Sequence, residues 1–202
     1  MPISYEEDAA AVHVSHANRV RVERAWAEIV DALGYDGKDP HLVESPVRVA
    51  RFLMDWHTQS KHKLPPKLTT FPSEGCDELI VVGGITFYAL CAHHGLPFMG
   101  VASVGYVPNG RVLGLSKFAR VIDHFARRFT TQERLGQNIT AYLQENLKPQ
   151  GVGVVLRAEH LCMSLRGIQK PGHFTTTSDM RGVFREKPEA RAEFLNLVRR
   201  ST

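Results

Sequence analysis

Leu79-Ile-Val-Val-Gly-Gly-Ile-Thr-Phe-Tyr-Ala-Leu-Cys91-Ala-His93-His94-Gly95-Leu-Pro97-Phe98-Met-Gly-Val-Ala-Ser-Val-Gly-Tyr-Val107 holds two runs rich in Val, Ile, Tyr and Phe, with Gly95 and Pro97 marking the turn between them. Runs of that composition, bounded by turn residues, read as two strands. Two helices are expected next. In Ser116–Phe129, Phe118, Val121, Ile122, Phe125 and Phe129 recur at helical spacing, and in Thr131–Leu147 so do Leu135, Ile139, Tyr142, Leu143 and Leu147. Gly151–Arg166 and Phe174–Phe184 return to strand character, and a short helix around Pro188–Val198 closes the chain. The order strand, strand, helix, helix, strand, strand predicts an α+β layer with an antiparallel sheet. A four-stranded sheet leaves two edges of unpaired backbone, which pairing with further copies or closure into a barrel removes; an oligomer is therefore expected.

Working back toward the N-terminus, residues 5–34 are rich in Ala, Val, Arg and Glu and read as a long helix ending at Gly34. Ser45-Pro46, a cap residue followed by proline in the first turn, starts a second helix that runs to about Trp56. Lys61 to Pro72 has no periodicity and carries Pro65, Pro66 and Pro72, so it reads as a linker. The expected division is a helical arm over 1–60, a linker over 61–76 and the main domain over 77–202.

A chain of 202 residues accommodates one sizeable core, or one domain with an appended arm. Its 43% apolar and 23% charged content is that of an ordinary soluble protein. No apolar run approaches membrane-spanning length, and Met1-Pro2-Ile3-Ser4-Tyr5-Glu6-Glu7-Asp8 lacks the basic-then-apolar layout of a signal peptide. The expectation is a cytoplasmic protein with reduced thiols and no membrane partner. The net charge of +4 is modest and is not gathered in a basic tail, which suits a small polyanionic substrate at least as well as nucleic acid. Of the three cysteines, Cys76 has no His or Cys near it and reads as incidental.

The other two cysteines sit in Cys91-Ala92-His93-His94 and His160-Leu161-Cys162. Cys91 and His94 have a spacing that lets one tight turn present two ligands. With Cys162 they make two thiolates and one imidazole, a three-ligand set of the hydrolytic zinc type, which keeps one position for water. A lone Cys162 would read as a small buried hydrophobe; the second cluster is what turns it into a ligand. His160-Leu161-Cys162-Met163-Ser164-Leu165-Arg166 alternates strictly, so a continuous strand would set His160, Cys162, Ser164 and Arg166 on one face. His93 is either a surface or supporting histidine, or a proton carrier, since imidazole titrates near neutrality.

In Leu115-Ser116-Lys117-Phe118-Ala119-Arg120, Ser116 reads as a helix cap, with Lys117 and Arg120 in the first turn. Cations are disfavoured there by the helix dipole, and either form a solvated face or meet a docked anion. Arg48 and Arg51 repeat the arrangement after Ser45-Pro46, whereas Arg127 and Arg128 lie at a helix end where cations are structurally favourable. Thr130-Thr131-Gln132-Glu133 reads as a capping box; alternatively Glu133 faces the site and accepts hydrogen bonds from a bound substrate.

Taken together, these motifs resemble the GTP cyclohydrolase I family. The matching stretches are Ser45-Pro46-Val47-Arg48-Val49-Ala50, Cys91-x-His93-His94, Leu113-Gly114-Leu115-Ser116-Lys117, Thr131-Gln132-Glu133-Arg134-Leu135, His160-x-Cys162 with Arg166-Gly167, Thr175-Thr176-Thr177-Ser178, and Gly182-Val183-Phe184 followed by Glu193-Phe194-Leu195. They fall in order from about residue 40 to the C-terminus. The resemblance implies a tunnelling fold, its sheet closed into a barrel in a ring-shaped homodecamer with sites at subunit interfaces. It further implies conversion of GTP and water to formate and 7,8-dihydroneopterin triphosphate, the first step toward tetrahydrofolate-type pterins. Carried over, Cys91, His94 and Cys162 match zinc ligands, and His93 and His160 the proton-transfer histidines. Ser116, Lys117, Arg120 and Arg166 match triphosphate contacts, joined by Arg48 and Arg51 from a neighbouring subunit, while Gln132 and Glu133 match guanine contacts. Ala92, where the family usually has Glu, and Tyr88-Ala89-Leu90, where it has small hydroxyl residues, depart from the pattern.

Two rivals differ in what they need. A same-fold enzyme acting on an unphosphorylated purine or pterin has no use for Lys117, Arg120 and Arg166 together. A zinc-stabilised assembly protein wants a fourth protein ligand, and none stands out near the cluster. The signature of a nucleobase deaminase is absent.

Overall fold

A computed structural model describes residues 16–58 and 64–201. Two compact units divide it, Met1–Leu64 and Pro65–Thr202. The first contains α1 (His16–Ala32) and α2 (Ser45–Thr58). Residues 5–15 of the expected first helix lie outside the described residues. Gly34, at φ 83°, turns the chain after α1 by donating its N–H to the Asp31 carbonyl at 2.8 Å. The two helices pack on each other. Val30 and Ala50 are buried, and the Trp26 indole donates to the Ser45 hydroxyl at 3.2 Å.

The second unit runs β1 (Thr70–Pro72), β2 (Ile80–Cys91), β3 (Pro97–Val107), β4 (Arg111–Leu113), α3 (Ser116–Ala126), β5 (Phe129–Thr130), α4 (Gln132–Leu147), β6 (Gly151–His160), α5 (Leu161–Ser164), β7 (Phe174–Gly182), α6 (Val183–Glu186) and α7 (Pro188–Ser201). Its main sheet has the order β5-β2-β3-β6-β7. All of its pairings are antiparallel except that of β5 with β2. The α+β class is as expected; the sheet is mixed and five-stranded rather than four-stranded. Among the described residues no helix is long and apolar enough to cross a membrane.

Alternation decides which side of the sheet each helix covers. On β6, Val152, Val154, Leu156 and Ala158 are fully buried, and α4 packs over β6 and β7 while α3 packs on β2. Phe118, Val121, Ile122, Leu135 and Ile139 supply the helical half of that core. Val81 and Val155, on the other face, pack with Phe184, Phe194 and Val198 from α6 and α7. Gly105 and Gly153 are register partners there. A Cβ on either would lie within 3 Å of the Phe194 ring, so the pair forms the slot that admits it.

Several local expectations change. The alternation from His160 to Arg166 does not continue as a strand, because residues 161–164 form the helical turn α5. β3 begins at Pro97, so the ladder ends at the pair Phe98–His160 and no neighbouring backbone remains to extend β6. The Leu165 N–H instead donates back to the Leu161 carbonyl at 2.9 Å. Likewise β7 stops at Gly182 and residues 183–186 turn helical. α3 ends at Ala126, and Phe129 and Thr130 join the sheet beside Leu90 and Cys91. Within the linker segment, Thr70–Pro72 pairs with Arg111–Leu113.

Candidate functional site

The hairpin joining β2 to β3 is closed at Cys91, whose N–H donates to the Leu96 carbonyl at 2.8 Å while its own carbonyl accepts from the Gly95 N–H at 2.8 Å. Gly95 sits at φ 70°, a conformation glycine adopts without strain. The tight turn holds Cys91 Sγ 3.8 Å from Nδ1 of His94 and 3.9 Å from Nδ1 of His93. From the far end of the chain, α5 brings Cys162 to the same place. Ligand atoms of Cys91, His94 and Cys162 all lie within 4.8 Å of one another. Tetrahedral zinc with ordinary bond lengths sets sulfur and nitrogen about 3.6 Å apart, so these residues fit such an ion in donor chemistry and in spacing.

Burial pushes the Cys162 thiol up, and the adjacent Cys91 pushes it further; the nearby Arg166 guanidinium acts the other way. A raised pKa favours the protonated Cys162 thiol, whereas metal ligation takes the thiolate. Cys91 is buried, Cys162 half-buried and His94 exposed, which leaves the group open toward solvent.

His160 ends β6 beside this group. Its ring lies parallel to that of Phe98, with centroids 4.6 Å apart. Its Nε2 is 2.8 Å from Oε1 of Gln132. Burial lowers its pKa, and the Glu133 carboxylate opposes that shift, so Glu133 stands within electrostatic reach of the imidazole. Gln132 is buried, and its amide nitrogen donates to the Leu156 and Thr175 carbonyls, both at 3.0 Å, and to the Thr177 hydroxyl at 3.1 Å. Both ends of that amide are thus occupied within the chain.

Glu133 is exposed, and the box proposed for it does not form. Thr131 is the cap of α4, its hydroxyl accepting from the Arg134 N–H at 3.2 Å. Glu133 falls one residue short of the position that could reach back to the cap amide. It borders instead a cavity of about 140 Å³ lined also by Gln137, Leu156, Thr177 and Asp179.

Ser116 is the first residue of α3, not its cap; Leu115 holds that position without a side-chain hydrogen bond. Lys117 is half-buried and Arg120 exposed, no acidic residue shares their turn, and neither makes an ion pair among the described residues. Arg166 is exposed in the loop after α5. Arg48 and Arg51 are exposed on α2, in the other unit.

Three positions at the site carry more than their local sequence signals. Phe98 reads as core until the register sets it opposite His160. Thr131 is one of two adjacent threonines, either of which could cap. Glu159 accepts from the Ser164 hydroxyl at 2.8 Å and the Gly172 N–H at 3.2 Å, tying α5 to the loop behind it. These bonds hold its pKa below the usual carboxylate range.

The model of the family described as GTP cyclohydrolase I matches residues 22–199. GTP cyclohydrolase 1 of Thermobifida fusca (strain YX) is 46% identical over 180 residues, covering 88% of this chain and 87% of its own. The enzyme of that name from Mycolicibacterium paratuberculosis (strain ATCC BAA-968 / K-10) is 44% identical over 195 residues, with 96% of each chain covered. That from Rhodopirellula baltica (strain DSM 10527 / NCIMB 13988 / SH1) is 42% identical over 181 residues, covering 90% of this chain and 79% of its own. With a match spanning nearly the whole chain, and a Cys, His, Cys group assembled from both halves of the main unit, this protein belongs to the GTP cyclohydrolase I family.

Proposed function

We propose that the protein hydrolyses and rearranges GTP to 7,8-dihydroneopterin triphosphate with release of formate, as a zinc-dependent cytoplasmic enzyme at the start of tetrahydrofolate-type pterin synthesis. The observation that carries this reading is the convergence of the Cys91, His94 and Cys162 ligand atoms within 4.8 Å in a chain of this family. Zinc held there would supply Lewis-acid activation of water at neutral pH.

The chain's own residues do the rest. His160 protonates the ring nitrogen next to C8 as water adds to that carbon; a second hydrolysis releases C8 as formate. His93 assists opening of the ribose, and rearrangement with closure onto the freed amine returns one water. Glu133 reads the guanine edge, its exposed carboxylate bordering a cavity beside the His160 environment. Gln132 falls in the family's guanine-contact motif, but both ends of its amide are bonded within the chain. Ser116, Lys117, Arg120 and Arg166 hold the triphosphate, joined by Arg48 and Arg51 of a neighbouring subunit. A triphosphate gripped away from the reacting carbon lends its binding energy to positioning the base.

The assembly belongs to the same proposal: an N-terminal helical arm over 1–60, a linker over 61–76, and a tunnelling-fold catalytic domain over 77–202. The sheet closes into a barrel in a homo-oligomer, with ten subunits as the expected ring. The edge strand β7 supports this, since among the described residues it pairs on one side only, with β6. No nucleic-acid or membrane partner is part of the reading.

The test is to incubate zinc-replete protein with GTP and follow pterin fluorescence and formate together. Equimolar appearance of both is expected. Absence of both, with one zinc per subunit measured, would refute the reading.

A further inference from the structure

We propose that Gln132 is a positioning residue that fixes which nitrogen of His160 carries the proton. Nε2–H is held by Gln132, and Nδ1 is left to exchange a proton with the substrate.

The two ends of the Gln132 amide cannot be told apart by shape. Its surroundings do distinguish them. One end faces two backbone carbonyls, of Leu156 and Thr175, at 3.0 Å each, with the Thr177 hydroxyl at 3.1 Å. A carbonyl oxygen has no proton to donate, so that end must be the NH2 group; turning the amide over would press its oxygen against two others in a buried site. Gln132 is 1% exposed, and water cannot relieve such a clash. Oε1 therefore faces His160 Nε2 at 2.8 Å and can only accept. The neutral imidazole must then be protonated at Nε2, with its lone pair at Nδ1.

Two further contacts hold the ring in this orientation. The parallel Phe98 ring, 4.6 Å away, fixes its plane. The acceptors that hold Gln132 belong to β6 and β7, which pair with each other along the strands and place its oxygen from a rigid base. Nδ1 has no hydrogen-bond partner among the described residues. Gln132 thus reaches the chemistry through His160 and not through the guanine.

The assignment of Nδ1 to proton exchange rests on the GTP reading, while the tautomer itself does not, and the experiment separates them. Zinc-loaded full-length protein labelled with nitrogen-15 histidine, at a pH where the ring is neutral, gives one pyrrole-type and one pyridine-type signal for each fixed tautomer. The His160 signals are identified by their loss in His160→Gln. Protonated Nε2 with unprotonated Nδ1 is expected; the opposite pattern, or an averaged pair, overturns the proposal. In steady-state kinetics, Gln132→Met should lower kcat by about a hundredfold, the scale of a misplaced general acid or base. Its KM for GTP should move by less than about threefold, because no ground-state contact is removed. A raised KM with kcat intact would make Gln132 a direct guanine contact instead. If Gln132→Met does not fold, the tautomer in the unaltered protein still decides. If that protein makes no pterin, the GTP reading fails and the tautomer result stands apart from it.

Discussion

The rings of Phe98 and His160 lie parallel, 2° between planes, across the last antiparallel pair of β3 and β6. Phe98 is fully buried and belongs to the core as much as to the site. Phe98→Leu keeps the side chain apolar but removes the flat surface against the imidazole. It should cost about 1–3 kcal/mol of stability, the range for reshaping a packed position. If the stack orients His160, kcat should fall while bound zinc stays at one per subunit. Urea denaturation, zinc analysis and kinetics on one preparation check this; lowered stability with unchanged kcat would leave the stack a packing feature alone.

Metal binding and proton transfer should separate cleanly between neighbouring residues. Cys162→Ser removes one of the three proposed ligands, and zinc should be lost on dialysis against a mild chelator, with activity following. His160→Ser leaves Cys91, His94 and Cys162 in place. Zinc should remain, and turnover should drop by roughly 10²–10⁴-fold, the span of general acid–base catalysis. Zinc retained by Cys162→Ser with unchanged affinity would remove Cys162 from the ligand set.

Thr131 and Glu133 are two residues apart and should fail in opposite ways. Thr131 caps α4 through the Arg134 N–H, so Thr131→Ala should lower stability by about 1 kcal/mol. Its KM for GTP should not change. Glu133 is exposed at the cavity and makes no capping bond. Glu133→Ala should raise KM strongly and leave the melting temperature almost unmoved. Thermal melts and initial rates on both variants test the division, and a melting-temperature loss confined to Glu133→Ala would reverse it.

The different fates of these residues show what local sequence can carry. Periodicity located α3 and α4, because their apolar positions face a sheet and repeat at the helical period. The meeting of Cys91 and His94 was legible for a similar reason, since one turn places both. Cys162 was legible as a candidate ligand by residue type, but the route that brings it to Cys91 and His94 was not. Alternation from His160 to Arg166 has the period of a strand, yet a strand needs a neighbour, and the neighbour ends at Pro97. Non-local pairing overrode the pattern. Glu133 failed as a capping residue because Thr131 rather than Thr130 took the cap, a choice between two hydroxyls that spacing leaves open. The role of Gln132 depends on carbonyls of Leu156 and Thr175, far along the chain, and no local motif encodes that meeting.

His124 gives a pH dependence that does not pass through the site. It is 8% exposed on α3, and its pKa is lowered from 6.5 to about 4, first by burial and then by the charge of Arg128. A group whose folded pKa is depressed is neutral in the native state while the unfolded chain still takes up a proton. Its stabilising contribution is therefore complete above the unfolded value, shrinks as pH falls from about 6.5 toward 4, and is gone below that. The shift corresponds to roughly 3 kcal/mol in full. Between about pH 7 and pH 4.5 most of it, roughly 2 kcal/mol, should be lost. His124→Leu cannot take up that proton. Its unfolding free energy in urea should therefore fall over the same interval by about 2 kcal/mol less than that of the unaltered protein. The carboxylates and the zinc ligands are common to both proteins, so acid protonation and metal loss cancel in the difference. Parallel pH profiles for the two would mean that His124 takes up its proton as readily in the folded chain as in the unfolded one.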